Sequence, residues 1–223
     1  LYIPHVSAQL ALDEIAAAKK RGFRVFGETC PQYLTLTNDD LLEQGPLLKI
    51  GPPLRTEQDR LALWGGLVDG ILDVVASDHA PKEKRIADDF FAAPYGSPQI
   101  ETMLPLLFHG SIVEERLTLS RLVQVLCETP ARIFGLYPKK GALAPGSDAD
   151  IVIVDPETAW TIAHSALHSN ASYIAYEGRT IRGRPILTMQ RGEVIVENGE
   201  LNGCRGRGRF LRTEAGKCEP VTG

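Results

Sequence analysis

Ile71-Leu72-Asp73-Val74-Val75-Ala76 runs directly into Ser77-Asp78-His79-Ala80-Pro81. The first piece reads as a buried strand. The second delivers an aspartate at its carboxyl end, with a proline stopping the strand just beyond. In a parallel α/β barrel this is where the chemistry sits, because the loops after the strands form the open, polar face. The first residues, Leu1-Tyr2-Ile3-Pro4-His5-Val6-Ser7, repeat the arrangement: apolar strand, then histidine, then a helix. A histidine and an aspartate at the ends of two strands are a partial metal site.

The stretch between them alternates in the same way. Ser7 is the expected N-cap of a helix whose apolar face is Leu10, Leu12, Ile15 and Ala16 to Ala18, ending near Gly22. Phe23 to Glu28 reads as a strand that stops at Thr29-Cys30-Pro31-Gln32-Tyr33. A short helix is expected over Asn38 to Glu43, then an extended piece, Leu47 to Ile50, before Gly51-Pro52-Pro53. Thr56 caps a further helix with the apolar stripe Leu61, Trp64, Leu67 and Val68, and Gly70 ends it. Strands alternating with helices indicate βα units and a parallel sheet. Residues 82 to 98 form a charged, then Gly/Pro-rich loop placed to overhang the strand ends. Helices follow over roughly Gln99 to Glu115 and Thr118 to Glu128, with a short one from Pro130. The texture changes at Gly141, so residues 1–140 are expected to be barrel and 141–223 a small β module with a tail. Ile151 to Asp155 is its first strand, and Ile186 to Gln190 meets Glu193 to Val196 across Arg191-Gly192 as a hairpin.

Bulk properties narrow the function classes. The 223 residues are 43% hydrophobic and 23% charged, an ordinary globular composition. A net charge of -4 argues against nucleic acid or an anionic membrane as the main partner. No apolar run approaches the roughly 18 residues of a membrane helix, and no secretory signal pattern is present. Cys30, Cys127, Cys204 and Cys218 are scattered with no C-x-x-C spacing, which favours reduced thiols in a cytoplasmic protein and an inert, packed Cys30. The basic tail Arg205-Gly206-Arg207-Gly208-Arg209 reads as a surface tail or subunit contact. The first methionine is Met103 and the chain opens inside a strand, so a downstream part of a longer polypeptide is expected.

Six motifs occur in order: His5-Val6-Ser7, Glu28-Thr29-Cys30-Pro31-Gln32-Tyr33-Leu34, Gly51-Pro52-Pro53-Leu54-Arg55, Ser77-Asp78-His79-Ala80-Pro81, Pro130-Ala131-Arg132-Ile133-Phe134-Gly135, and Gly141 to Asp150. Together they resemble the cyclic amidases of the amidohydrolase superfamily, the group of hydantoinase/dihydropyrimidinase, allantoinase and dihydroorotase. The resemblance implies the C-terminal part of a (β/α)8 TIM-type barrel plus a small β-sandwich. It places His5 as a metal ligand after the sixth barrel strand. It places Asp78 after the eighth, as a metal ligand and proton shuttle. The backbone at Gly51 and Pro52, and the loop around Tyr95 and Gly96, match positions that bind the cyclic imide. The group's His-x-His, carboxylated lysine and strand-five histidine lie before the region covered here.

The implied reaction is hydrolysis of an amide within a ring at a pair of zinc ions, with Asp78 as general base and then general acid. A carboxylate can coordinate a hard cation and accept a hydrogen bond together, and neutral imidazole donates well to zinc. His79 is expected on the opposite side of its strand, supporting packing or a hydrogen bond behind the ligands. His109, His164 and His168 are read as surface or β-module residues. Two ligands are fewer than catalytic zinc requires, so this chain alone should be silent and should need the missing N-terminal barrel half. A homo-oligomer is expected by analogy with the group. The competing readings are a non-catalytic dihydropyrimidinase-like scaffold and an inactive fragment. Retention of both His5 and Asp78 favours the enzyme.

Overall fold

The computed structural model describes residues 1–213. In chain order the elements are β1 (Tyr2–Ile3), α1 (Gln9–Lys20), β2 (Phe26–Thr29), α2 (Pro31–Thr35), α3 (Asn38–Gln44), α4 (Glu57–Val68), β3 (Val74–Val75), α5 (Ile100–Phe108), α6 (Leu119–Val123), α7 (Thr129–Ile133), and the strands β4 (Ile151–Thr161), β5 (Thr180–Gln190), β6 (Glu193–Glu197) and β7 (Glu200–Leu201). β1, β2 and β3 form one parallel sheet in that order. Tyr2 lies opposite Phe26, and Glu28 opposite Val74. Helices fill the connections between these strands, the crossover arrangement that parallel neighbours require.

Local chemistry sets the helix boundaries. Thr56 caps α4 in a reciprocal box with Asp59, and Thr37 does the same for α3 with Asp40. Ser7 does not cap α1, because its helix begins one residue later and Ala8 takes the N-cap position with no side-chain bond. Leu12 and Ile15 are the residues of α1 that are buried. In α4 the buried side is Leu63, Trp64 and Leu67, while Leu61 and Val68 face solvent. The stripe is therefore rotated from the expected one, and the Trp64 indole N–H donates to the Leu34 carbonyl at 2.9 Å.

Several expected elements differ in detail. The predicted extended piece at Leu47 to Ile50 begins instead as a 3₁₀ turn, Gly45–Leu48, directly after α3. The long helix expected from Gln99 to Glu115 is α5 followed by a π turn over His109–Val113. Pro105 lies inside α5 and removes one ladder donor. The helix expected over Thr118 to Glu128 is α6 followed by a second π turn, Gln124–Glu128, which runs on into α7.

The residues after Gly141 form a single four-stranded antiparallel sheet, β4-β5-β6-β7, among the described residues. The hairpin at Arg191-Gly192 is present, with both turn residues at positive φ, as a tight right-twisted hairpin needs. β4 and β5 run further than expected because bulges let the pairing resume at Ala159 to Thr161. The core is continuous across residue 141, joining Leu63, Leu67 and Phe108 with Ile162, Tyr176 and Ile181. At Gly183, in β5 at φ +101°, an added Cβ would sit 2.2 Å from Phe108 Cδ1. Both the left-handed backbone and the close approach require glycine there. Gly183→Ala is expected to cost about 2 kcal/mol or more by overpacking and backbone strain, read as a lowered urea midpoint.

Candidate active site

The parallel register brings the carboxyl ends of β1, β2 and β3 to one edge, and the residues singled out from the sequence lie just past them. His5 follows β1 at φ +43°, and Asp78 follows β3 at φ +48°. For non-glycine residues the left-handed region is sparsely populated and is held only where surrounding contacts enforce it. Those contacts come from β2: Val6 N–H donates to the Glu28 carbonyl, the Thr29 hydroxyl donates to the Val6 carbonyl, and Ala76 N–H donates to the Thr29 carbonyl. The middle strand therefore holds both outer turns in place.

Asp78 is an exposed residue, yet partial desolvation of its carboxyl raises it above its ordinary value, while His5 and a hydrogen bond from Gln32 draw it back down. Gln32 Nε2 reaches Asp78 Oδ2 at 3.2 Å. The next residue, Tyr33, donates its phenolic O–H to the Pro52 carbonyl at 2.7 Å. The short helix α2 thus joins Asp78 to the Gly51-Pro52 turn through consecutive side chains. Burial, and then the charges of Asp78 and Glu28, push the Cys30 thiol up, so it stays protonated and unreactive, in line with the inert reading.

The loop at 82–98 packs against the segment leading into Gly51 and leaves Asp78 exposed. Its base is pinned where Ala80 N–H donates to the Ser97 carbonyl. Gly96 sits at φ +123°, and a Cβ there would lie 2.4 Å from the Ala80 carbonyl oxygen. Gly96 N–H donates to the Lys49 carbonyl, and the Tyr95 ring packs 3.3 Å from where a Gly51 Cβ would be. The two segments expected to bind substrate, Gly51-Pro52 and Tyr95-Gly96, are therefore in contact. His79 Nδ1 accepts from the backbone N–H groups of Gln99 and Ile100, at 3.1 and 3.2 Å. That leaves the ring proton on Nε2, while His79 satisfies two amides at the start of α5, whose N-cap residue is Gln99.

Among the described residues no group of three or more His, Cys, Asp and Glu side chains is arranged to hold a metal ion. An imidazole and a carboxylate are suitable donors for zinc, but two protein ligands are fewer than a catalytic zinc needs. The other histidines stand apart: His109 Nδ1 accepts from Arg182 N–H, His168 pairs with Glu101, and His164 bonds the Ala171 carbonyl. The basic tail folds back on the β5–β6 hairpin, where Arg207 pairs with Glu193. Cys218 lies outside the described residues. Gln32, Tyr33 and Lys84 (a buried lysine in the overhanging loop) were not singled out from the sequence, because their partners lie in distant segments.

The model of the amidohydrolase family matches residues 34–195. The chain belongs to the amidohydrolase family. It is 43% identical to a D-hydantoinase of Streptomyces coelicolor over 230 residues, covering 100% of this chain and 49% of that protein. It is equally 43% identical to a D-phenylhydantoinase of Escherichia coli, over 95% of this chain and 47% of that one. Its fold superposes on a crystal structure of D-hydantoinase with TM-score 0.92 at 35% identity, covering 96% of this chain and 48% of the other. A dihydropyrimidinase from Brevibacillus agri superposes with TM-score 0.91 at 37% identity, over 96% and 48%. This amidohydrolase chain spans about half the length of the relatives it matches.

In the metal-free chain the ionised form of Asp78 is the disfavoured one. Its penalty is present at neutral pH and disappears as pH falls towards the ordinary carboxylate value of 3.8. Asp78→Asn, which also tolerates positive φ, should therefore melt at or above the wild-type temperature at pH 7 and lose that advantage near pH 4. Asp78→Val, β-branched at φ +48°, should be about 1–2 kcal/mol less stable than Asp78→Asn at either pH. Thermal unfolding of the three proteins in EDTA at both pH values measures this.

Proposed function

We propose that this chain is the C-terminal half of a zinc-dependent cyclic amidase of the hydantoinase/dihydropyrimidinase kind, with the remaining metal ligands supplied by an N-terminal barrel half. The observation that carries the reading is the pair His5 and Asp78, each in a left-handed turn at the carboxyl end of a strand flanking β2. Their donor types suit zinc, and the hydantoinase and dihydropyrimidinase relatives support a hydantoin or dihydropyrimidine ring as substrate over the rings of allantoinase or dihydroorotase. A zinc pair supplies Lewis-acid polarisation of the ring carbonyl and a nucleophile at neutral pH.

The residues of this chain then have distinct tasks. His5 and Asp78 hold metal. Asp78 accepts the proton of the attacking water and returns it to the ring nitrogen as the amide bond breaks. The Gln32 amide orients the carboxylate during both transfers. Backbone groups at Gly51-Pro52 and Tyr95-Gly96 bind the ring, and Tyr33 braces the first of these turns. The antiparallel sheet β4 to β7 supplies one layer of the family's small sandwich. Retention of both ligand types supports this reading over a scaffold that has lost them.

The test is to join this chain with an N-terminal half carrying a His-x-His and a lysine. Zinc content and ring opening of hydantoin and dihydrouracil are then measured. Bound zinc and turnover are expected. Asp78→Asn should lower kcat by about 10²–10⁴-fold, and His5→Ala should lose zinc. An assembled, zinc-loaded protein that opens neither ring would overturn the proposal.

A further inference from the structure

From Pro81 to Phe91 every residue of the overhanging loop is exposed except Lys84, which is 2% exposed. Its ammonium donates to three carbonyls: Gly96 at 2.6 Å, Lys49 at 2.8 Å and Leu47 at 3.3 Å. An ammonium has three donors and no acceptor, so its hydrogen-bonding capacity is fully used. Leu47 and Lys49 lead into Gly51, and Gly96 belongs to the returning arm of the loop. One buried side chain therefore joins both backbone segments assigned above to substrate.

Neighbouring contacts reinforce the tie. Tyr173 donates its O–H to the same Gly96 carbonyl, and the Ser172 hydroxyl donates to the carbonyl of Lys84 itself. In the opposite direction, Lys49 reaches from the Gly51 segment to the Phe91 carbonyl at 2.8 Å, with its Nζ 4.6 Å from the Tyr95 ring centroid. Burying an ammonium is unfavourable unless its donors are met, and burial beside Lys49 pushes Lys84 down to about 8. A loop on the surface needs no such residue to be soluble. Its burial makes sense where the loop must be held at a set distance.

We propose that Lys84 is a positioning residue of the substrate cleft: by bonding the Leu47, Lys49 and Gly96 carbonyls together, it sets the gap between the two backbone segments that grip the ring. This rests on the function proposed above. It adds a residue that touches neither metal nor substrate and acts on ring binding rather than on proton transfer.

The experiment uses the assembled two-half protein, comparing wild type with Lys84→Met and Lys84→Arg. Arginine keeps the charge, but its larger planar fork aims its donors differently from a compact ammonium. With Lys84→Met, KM for dihydrouracil is expected to rise about tenfold or more while kcat stays within about threefold, the pattern of lost ground-state binding. Hydrogen exchange at residues 86–96 and 49–51 should accelerate, with α1 and α4 unchanged. If Lys84→Met also accelerates α1 and α4, the protein is globally destabilised, and Lys84→Arg carries the same two readouts. Unchanged KM, whatever the loop exchange, would overturn the proposal. Should wild type bind zinc but open no ring, the functional reading fails by itself. Loop exchange in Lys84→Met then shows whether the clamp exists, and unchanged exchange overturns it.

Discussion

Everything at the candidate site depends on the parallel pairing of three short strands. β1 and β3 contribute only two residues each to the sheet, so the pairing itself is slight. Its register is nevertheless enforced, because the turns beyond the strands are bonded to β2 as well. A one-residue slip would exchange inward and outward side chains along a strand and break those bonds. With the register set, His5, Asp78 and the start of α2 emerge at one edge. The left-handed conformations of His5 and Asp78 are the local cost of turning the chain there, and packing around Thr29 offsets it.

The candidate site combines two side chains, His5 and Asp78, with the backbone turns at Gly51-Pro52 and Tyr95-Gly96. Asp78 is steadied by an amide on α2, and the same helix steadies the Gly51-Pro52 turn. The 82–98 loop has little regular structure, and two lysines tie it to the Leu47–Gly51 segment by bonding carbonyls rather than carboxylates. Such bonds have direction without drawing in a competing charge. β1 and β3 are each paired on one side within this sheet, so among the described residues His5 and Asp78 follow the two edge strands.

Much of this was legible in the residues. The alternation of apolar strands with capped helices announced the parallel sheet, and Thr56 announced α4 through chemistry confined to four residues. The Arg191-Gly192 hairpin was readable for the same reason: a tight turn carries its own signature. The rotated stripe of α4 was not, because Leu61 and Leu63 are equally apolar and only the neighbouring layer chooses between them. The π turns after α5 and α6, and the extra length of β4 and β5, arise from packing against distant segments, which no local pattern records.

The sequence by itself marked the carboxyl ends of the three parallel strands and which donor types stand there, since apolar runs, prolines and turn residues act within a few positions. It also marked Cys30 as a packed thiol. Tertiary structure alone decided the roles of Gln32, Tyr33, His79 and Lys84. Each of these meets its partner across 12 to 46 residues of chain. Lys84 shows the reason most clearly. In the sequence it is one charge in an exposed, charged run, and only the approach of three carbonyls from two separate segments turns it from a solvated lysine into a buried tie.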